Sequence, residues 1–174
     1  PELAPGLNAA CFAPQGGLRT GIGDLLRLGQ VLADRGALGG QPFISPQGFE
    51  ELVRPHWRWA PGGPDDAGDG LFRAWALGLQ QFTDQRDARG GDRLHPDGGW
   101  TGVGHLGMAY GLFSGLIVGP RQGANPGWVL TYAISGTGVS EDQARGQHSS
   151  FTAWEEQLLR FLLDRLKTER ASSP

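Results

Sequence analysis

Histidine, serine and glycine are the residues of this chain that could do chemistry, and their spacing decides which chemistry is open. The densest cluster, Gly102-Val103-Gly104-His105-Leu106-Gly107, matches the GxGxxG pattern of dinucleotide-binding turns. That pattern works when a strand precedes it and a helix follows, so that pyrophosphate meets the helix's N-terminal amides. Here a Gly/Asp/Pro stretch precedes and an apolar, glycine-interrupted strand follows, which argues against a nucleotide. The only lysine, Lys167, falls in a C-terminal helix and cannot serve a P-loop. Zinc needs three or four converging ligands, usually two of them close in sequence. His56, His95, His105 and His148 form no HxH or HxxxH pair, so no metal site is expected, and His95-Pro96-Asp97 reads as a loop turn.

A serine nucleophile needs a base and a sharp turn that presents it. The GxSxG elbow is absent, because Ser114 and Ser135 follow Leu112 and Ala133 at the position that needs glycine. Ser-x-x-Lys is absent too: Asp164 stands three residues before Lys167. Neither tyrosine opens a Tyr-x-Asn, since Leu112 and Ile134 follow Tyr110 and Tyr132 at the third position. Trp57 and Trp59 could stack on a sugar or base, whereas Trp75, Trp100, Trp128 and Trp154, with apolar neighbours, read as core.

The elements that position these residues follow from pattern. The chain has 174 residues, enough for one domain with a real core. Glycine, at 30 residues, demands many turns and close backbone approaches. A net charge of −3 with 19% charged residues argues against nucleic-acid binding. One cysteine, Cys11, excludes an internal disulfide framework, and no apolar run is long enough to span a bilayer. The chain opens Pro1-Glu2-Leu3 without Met or a signal segment, which points to a processed or truncated product. Residues 1–15 read as an extended lead-in. Thr20 is the expected cap of a helix running to about Asp34, stopped at Arg35-Gly36. Ser45-Pro46 starts a short helix ended by Pro55. Strands are expected over Ala74–Phe82, Met108–Val118 and Trp128–Ser135. Thr152-Ala153-Trp154-Glu155 has capping-box spacing and opens the last helix. Trp154, Leu158, Phe161, Leu162 and Arg165 mark one face of it, and residues 168–174 read as a flexible tail. The fold expected is α+β: a single domain with an antiparallel sheet of about three strands, N-terminal helices, and a C-terminal helix packed on it.

In order, the stretches GGLRTGIGDLLRLGQVL, FISPQGFEEL, AWALGL, GHLGMAYGLFSGLIVGP and WVLTYAISGTG, with the closing helix, resemble the C-terminal half of the serine β-lactamase and penicillin-binding-protein family, in its class C and esterase branch. The resemblance covers nearly the whole chain. It implies a partial β-lactamase-like fold and places His105-Leu106-Gly107 at the third catalytic motif, where Lys-Thr-Gly or His-x-Gly stands. The Met108 amide would be one donor of the oxyanion hole. His in place of Lys departs from penicillin recognition, and Leu106 lacks the hydroxyl of the Thr position. The family's Ser-x-x-Lys and assisting Tyr lie in the other half. The resemblance therefore implies a fragment or subunit, inactive alone, that needs an N-terminal half to acylate a serine with an ester, amide or β-lactam. No cofactor is expected, and the resemblance favours a periplasmic or exported location. Two other readings stand beside it: a non-catalytic module that self-associates through its sheet edges, and a small α+β enzyme using Ser114 or Ser135 with a histidine.

Overall fold

A computed structural model of the chain describes residues 20–60, 68–88, 90–109, 111–124, 126–137 and 144–172. The expected lead-in over residues 1–15, and most of the polar loop before Gly70, lie outside the described residues.

The first helix, α1, spans Ile22–Ala33 with Gly21 as its N-cap. Thr20 is therefore not the cap, and its hydroxyl bonds the Gly21 carbonyl instead. Gly29 fixes how closely α1 approaches the sheet. A Cβ there would stand 2.4 Å from Val129 and 2.8 Å from Leu116. The helix stops where Arg35 and Gly36 adopt φ of 55° and 90°, and a small hairpin follows, β1 (Ala37–Leu38) with β2 (Gln41–Pro42). Helix α2, Pro46–Val53, starts as its sequence dictates: the Ser45 hydroxyl accepts from the Gly48 amide, with Pro46 in the first turn.

The main sheet has six strands where the sequence suggested about three. They are β3 (Trp57–Arg58), β4 (Ala74–Trp75), β5 (Gln80–Phe82), β8 (Gly102–Ala109), β9 (Leu112–Gly119) and β10 (Trp128–Ser135), with a side hairpin of β6 (Arg86–Asp87) and β7 (Gly90–Gly91). The order is β10-β9-β8-β5-β4-β3, and each neighbouring pair is antiparallel. Two expected single strands are hairpins. Ala74–Phe82 folds back at Gly78, at φ 71°, where the Ala76 amide bonds the Leu79 carbonyl. The stretch Met108–Val118 contains the turn between β8 and β9, with Gly111 at φ 72°. A glycine at positive φ inside an apolar run reverses the chain without a polar signal, so periodicity alone merges the two strands.

Side chains alternate across the sheet. Val103, Leu116 and Val118 join Leu32, Ala33 and Phe49 beneath α1 and α2. Phe82, Ile117, Trp128, Leu130 and Tyr132 join Leu159 and Leu163 of the last helix, α3 (Ala153–Ala171). The result is three layers, with α1 and α2 on one face and α3 on the other.

Helix α3 carries the capping box read from its sequence: Thr152 Oγ1 accepts from the Glu155 amide, and the Glu155 carboxylate accepts from the Thr152 amide. It runs through residues 168–171, which the sequence suggested as tail. Of the expected face, Leu158 and Leu162 pack half-buried against the core, but the face is centred elsewhere. Glu155, Glu156, Leu159 and Leu163 are buried, while Trp154 and Phe161 are 59% and 60% exposed. Trp154 is thus not core, whereas Trp100 and Trp128 are buried and meet edge to face at 5.4 Å. Glu155 reaches Tyr132 on β10, and Glu156 turns towards the 147–149 segment. Trp154 and Phe161 are exposed on α3, and the outer edge of β10 pairs with no strand among the described residues.

Candidate functional site

The stretch singled out by its glycines is neither a loop nor a helix entrance. It forms the first six residues of β8, paired with β9 from Val103 onward and with β5 only at Gly102, Val103 and Gly104. From His105 to Ala109 the β5 side of the strand has no partner among the described residues. An unpaired edge of this kind can bind an extended backbone. Gly104 permits the close pairing beside it, since a Cβ there would stand 2.0 Å from the Leu116 carbonyl oxygen.

His105 and Leu106 point to opposite faces. His105 shares the α1/α2 face with Val103, and its side chain is exposed. Its Nδ1 lies 2.6 Å from the Leu106 carbonyl oxygen, an arrangement in which Nδ1–H donates. The Trp75 ring meets the imidazole edge to face at 5.5 Å, so two contacts orient it. Leu106 instead packs against the α3-side core. At Gly107 a Cβ would stand 2.6 Å from Ser114 Oγ, so the position is closed to side chains unless that hydroxyl moves. Met108 is 61% exposed and registers with Phe113 on β9. The four positions therefore form an accessible strand segment with one oriented imidazole.

Among the described residues no serine is activated by this geometry. Ser114 Oγ has the Gly107 carbonyl at 3.5 Å as its partner, and Ser135 lies exposed at the end of β10. Among the described residues no serine hydroxyl bonds a histidine nitrogen. The histidines are also separate: His56 faces Glu51 at 3.3 Å, His95 meets Asp164 at 3.0 Å, and His148 meets Glu156 at 3.1 Å. Among the described residues no group of three or more His, Cys, Asp or Glu is placed to hold a metal ion. Trp57 and Trp59 do not form a stacking pair: Trp57 registers with Trp75, and Trp59 lies under the buried Arg73 guanidinium at 5.8 Å.

Sequence reasoning gave no sign of the polar groups buried on the α3 side. Glu156 accepts from the Gln147 amide at 2.7 Å, the His148 amide at 2.9 Å and Ser149 Oγ at 2.7 Å. Burial pushes its carboxyl up, but those donors outweigh burial and hold it below the ordinary carboxylate value. Burial likewise pushes His148 down, against the attraction of Glu156. Asp92 caps the turn after β5, accepting from the Thr83 and Gln85 amides at 2.6 and 2.8 Å, yet burial raises it above its usual value. Tyr132, buried and bonded to Glu155 at 2.7 Å, is pushed well above the ordinary phenol value by burial and then by that carboxylate. These partners are brought together from distant positions, and no local spacing announces them. Among the described residues no helix is long and apolar enough to cross a membrane.

Comparison of the chain with protein-family models, with curated proteins and with solved structures finds no match.

Proposed function

We propose that this chain supplies one wall of a serine hydrolase site of the β-lactamase and penicillin-binding-protein type, and that the nucleophile comes from a segment outside it. The observation that carries the reading is the half-open strand β8: an oriented, exposed imidazole at His105, a side-chain-free Gly107 and an unpaired strand edge lie together. A substrate laid along that edge would bring its carbonyl towards the Met108 amide. A serine hydroxyl from the complementary segment attacks the carbonyl carbon and loses its proton to a base on that segment, conventionally the lysine of Ser-x-x-Lys. The tetrahedral oxyanion is held by backbone amides, that of Met108 among them. His105 steadies the substrate or its leaving group from the sheet side. As the intermediate collapses, the alcohol or amine leaves with a proton. Water then hydrolyses the acyl-enzyme.

Two further features support the reading. The order of layers, with α1 and α2 on the His105 face and the C-terminal helix on the other, fits the partial fold that the sequence resemblance implies. The outer edge of β10, unpaired among the described residues, carries no charged residue over Trp128–Ser135. Such an edge invites a covering strand, which the complementary segment would provide. The substrate is accordingly an ester, amide or β-lactam, with the absence of Lys at position 105 favouring a substrate that needs no cation for its carboxylate.

The test is complementation. The Ser-x-x-Lys segment sought upstream in the coding locus is co-produced with this chain, and the mixture is treated with a fluorophosphonate. The expected result is an adduct on that segment's serine, with labelling slowed about tenfold or more by His105→Ala. Labelling that is indifferent to His105, with the partner bound, would remove the catalytic reading. The same open β10 edge favours a second reading, a non-catalytic module that pairs with its own copy. Sedimentation showing a stable dimer of the chain alone, with no complementary segment in the locus, would select it.

A further inference from the structure

We propose that the ligand laid along the open edge of β8 is an extended, peptide-like chain carrying a bulky uncharged apolar group, and that a pocket on the α3 face receives that group. This rests on the reading of β8 as the strand that binds substrate, and adds what the substrate carries.

The pocket lies against the unpaired part of β8. It is a cavity of about 580 Å³, and Leu106, Gly107 and Met108 form one wall of it. These three residues have no partner on their β5 side among the described residues, because β5 pairs with β8 only as far as Gly104. The volume falls within the roughly 300–1,000 Å³ of small-molecule sites. Leu106 packs with the α3-side core, and Met108, two residues on, shares its face. Side chains of an extended ligand alternate in the same way. A chain paired to this edge therefore sends every second side chain to the α3 face, where the pocket lies.

The lining decides what that side chain is. Leu71, Phe72, Leu106, Met108, Phe113 and Phe151 make the apolar surface. Met108 is the most exposed of them, so it has the most surface left to cover. The polar side chains of the lining are engaged with one another and with neighbouring backbone. Asp69 pairs with Arg145 at the surface. Ser150 Oγ donates to the Asp69 carbonyl at 2.5 Å and accepts from the Gly91 amide at 3.0 Å. Glu155 accepts from Tyr132 at 2.7 Å, and from the Thr152 amide and hydroxyl at 3.1 and 2.9 Å. An anionic side chain would lie near the Glu155 carboxylate. A cationic one would give up its water for a carboxylate already surrounded by donors. An uncharged apolar group meets neither cost and covers the lining.

Met108 is the one methionine of the chain, so its methyl group gives a single NMR signal in methionine-labelled protein. That signal and the Gly107 amide are followed while the chain is titrated with capped tripeptides, acetyl-Ala-X-Ala-amide, where X is phenylalanine, glycine, aspartate or lysine. Saturable movement is expected with the phenylalanine peptide, at least about tenfold tighter than with glycine, the preference that burying a phenyl ring supplies. The aspartate and lysine peptides are expected to bind no tighter than glycine. Met108→Glu, at an exposed position, is expected to weaken the phenylalanine peptide about tenfold and leave the glycine peptide unchanged, read from the Gly107 amide. Equal binding of the phenylalanine and glycine peptides would overturn the pocket while leaving β8 as a backbone-binding strand. Tightest binding of the aspartate or lysine peptide would overturn its apolar character. No saturable movement with any of the four would overturn the edge itself, and with it the reading of β8 as a substrate strand.

Discussion

Removing the charge of Glu156 while keeping its shape, as in Glu156→Gln, tests how much of the α3 docking depends on one carboxylate. An amide offers one oxygen and one NH2 group where the carboxylate offers two acceptors. Oε1 serves the His148 amide and Ser149, and Oε2 serves the Gln147 amide and His148 Nδ1. The Ser149 hydroxyl can rotate away and the imidazole can change tautomer, but neither backbone amide can move. Whichever way the glutamine turns, one buried N–H faces an NH2. Losing a charged acceptor and leaving that donor unmet costs about 2–4 kcal/mol. At about 2–4 °C per kcal/mol for a chain of this size, the melting temperature falls by roughly 5–15 °C. The pH dependence separates this account from mere mispacking. Glu156 and His148 both hold folded pKa values below their ordinary 4.5 and 6.5, so the folded protein binds fewer protons than the unfolded chain. Their stabilisation is complete above the unfolded values and is lost as pH falls, first below about 6.5 for His148 and then below about 4.5 for Glu156. Asp92 titrates in the opposite sense, but equally in both proteins. Urea unfolding followed by tryptophan fluorescence should show the wild-type advantage over Glu156→Gln holding or widening from pH 7.5 to pH 6, since His148 without Glu156 is pushed down further. The advantage should then shrink as pH falls below about 4.5. An unchanged difference across that range, or a cost below about 0.5 kcal/mol at pH 7.5, the scatter of an ordinary surface substitution, would refute the reasoning.

Three further outcomes follow from burial and close contact. Leu159→Ala and Leu163→Ala, at positions with no exposure, should each lower unfolding free energy by about 2–5 kcal/mol, while Trp154→Ser and Phe161→Ser should change it by less than about 1 kcal/mol in the isolated chain. The same four variants separate the core positions of α3 from its exposed ones. Gly104→Ala must push β8 from β9 at the Leu116 carbonyl and should cost more than about 2 kcal/mol in chemical denaturation, with Gly107→Ala milder because the Ser114 hydroxyl can rotate. Tyr132→Phe leaves Glu155 with the Thr152 donors alone, and calorimetry should register a loss of about 1–2 kcal/mol.

How much could be read from the sequence varies by element, for physical reasons. Helices α2 and α3 announce themselves because their caps are local: Ser45-Pro46 and Thr152…Glu155 satisfy amides within three residues. Strand β10 matches Trp128–Ser135 because glycines and prolines bound it on the N-terminal side and Gly136 on the other. The β4–β5 and β8–β9 hairpins were hidden because Gly78 and Gly111 reverse the chain inside apolar runs. Of the apolar face expected on α3, Leu158 and Leu162 pack against the core while Trp154 and Phe161 are exposed, because the covered stripe centres on Leu159 and Leu163 and periodicity alone cannot place that centre. At the candidate site, the order His105-Leu106-Gly107 was legible, while its place on a half-open strand was not, since that depends on how far β5 extends along β8. His148, Glu156 and Asp92 were silent, because their partners come together only through the fold.

The most direct test of the central claim is the intact mass of this chain after treatment with a fluorophosphonate, alone and again with the complementary Ser-x-x-Lys segment bound. The account predicts an unmodified mass for this chain in both cases, with a single adduct on the partner segment. An adduct on this chain, at Ser114 or Ser135, would contradict it and place the nucleophile within these 174 residues.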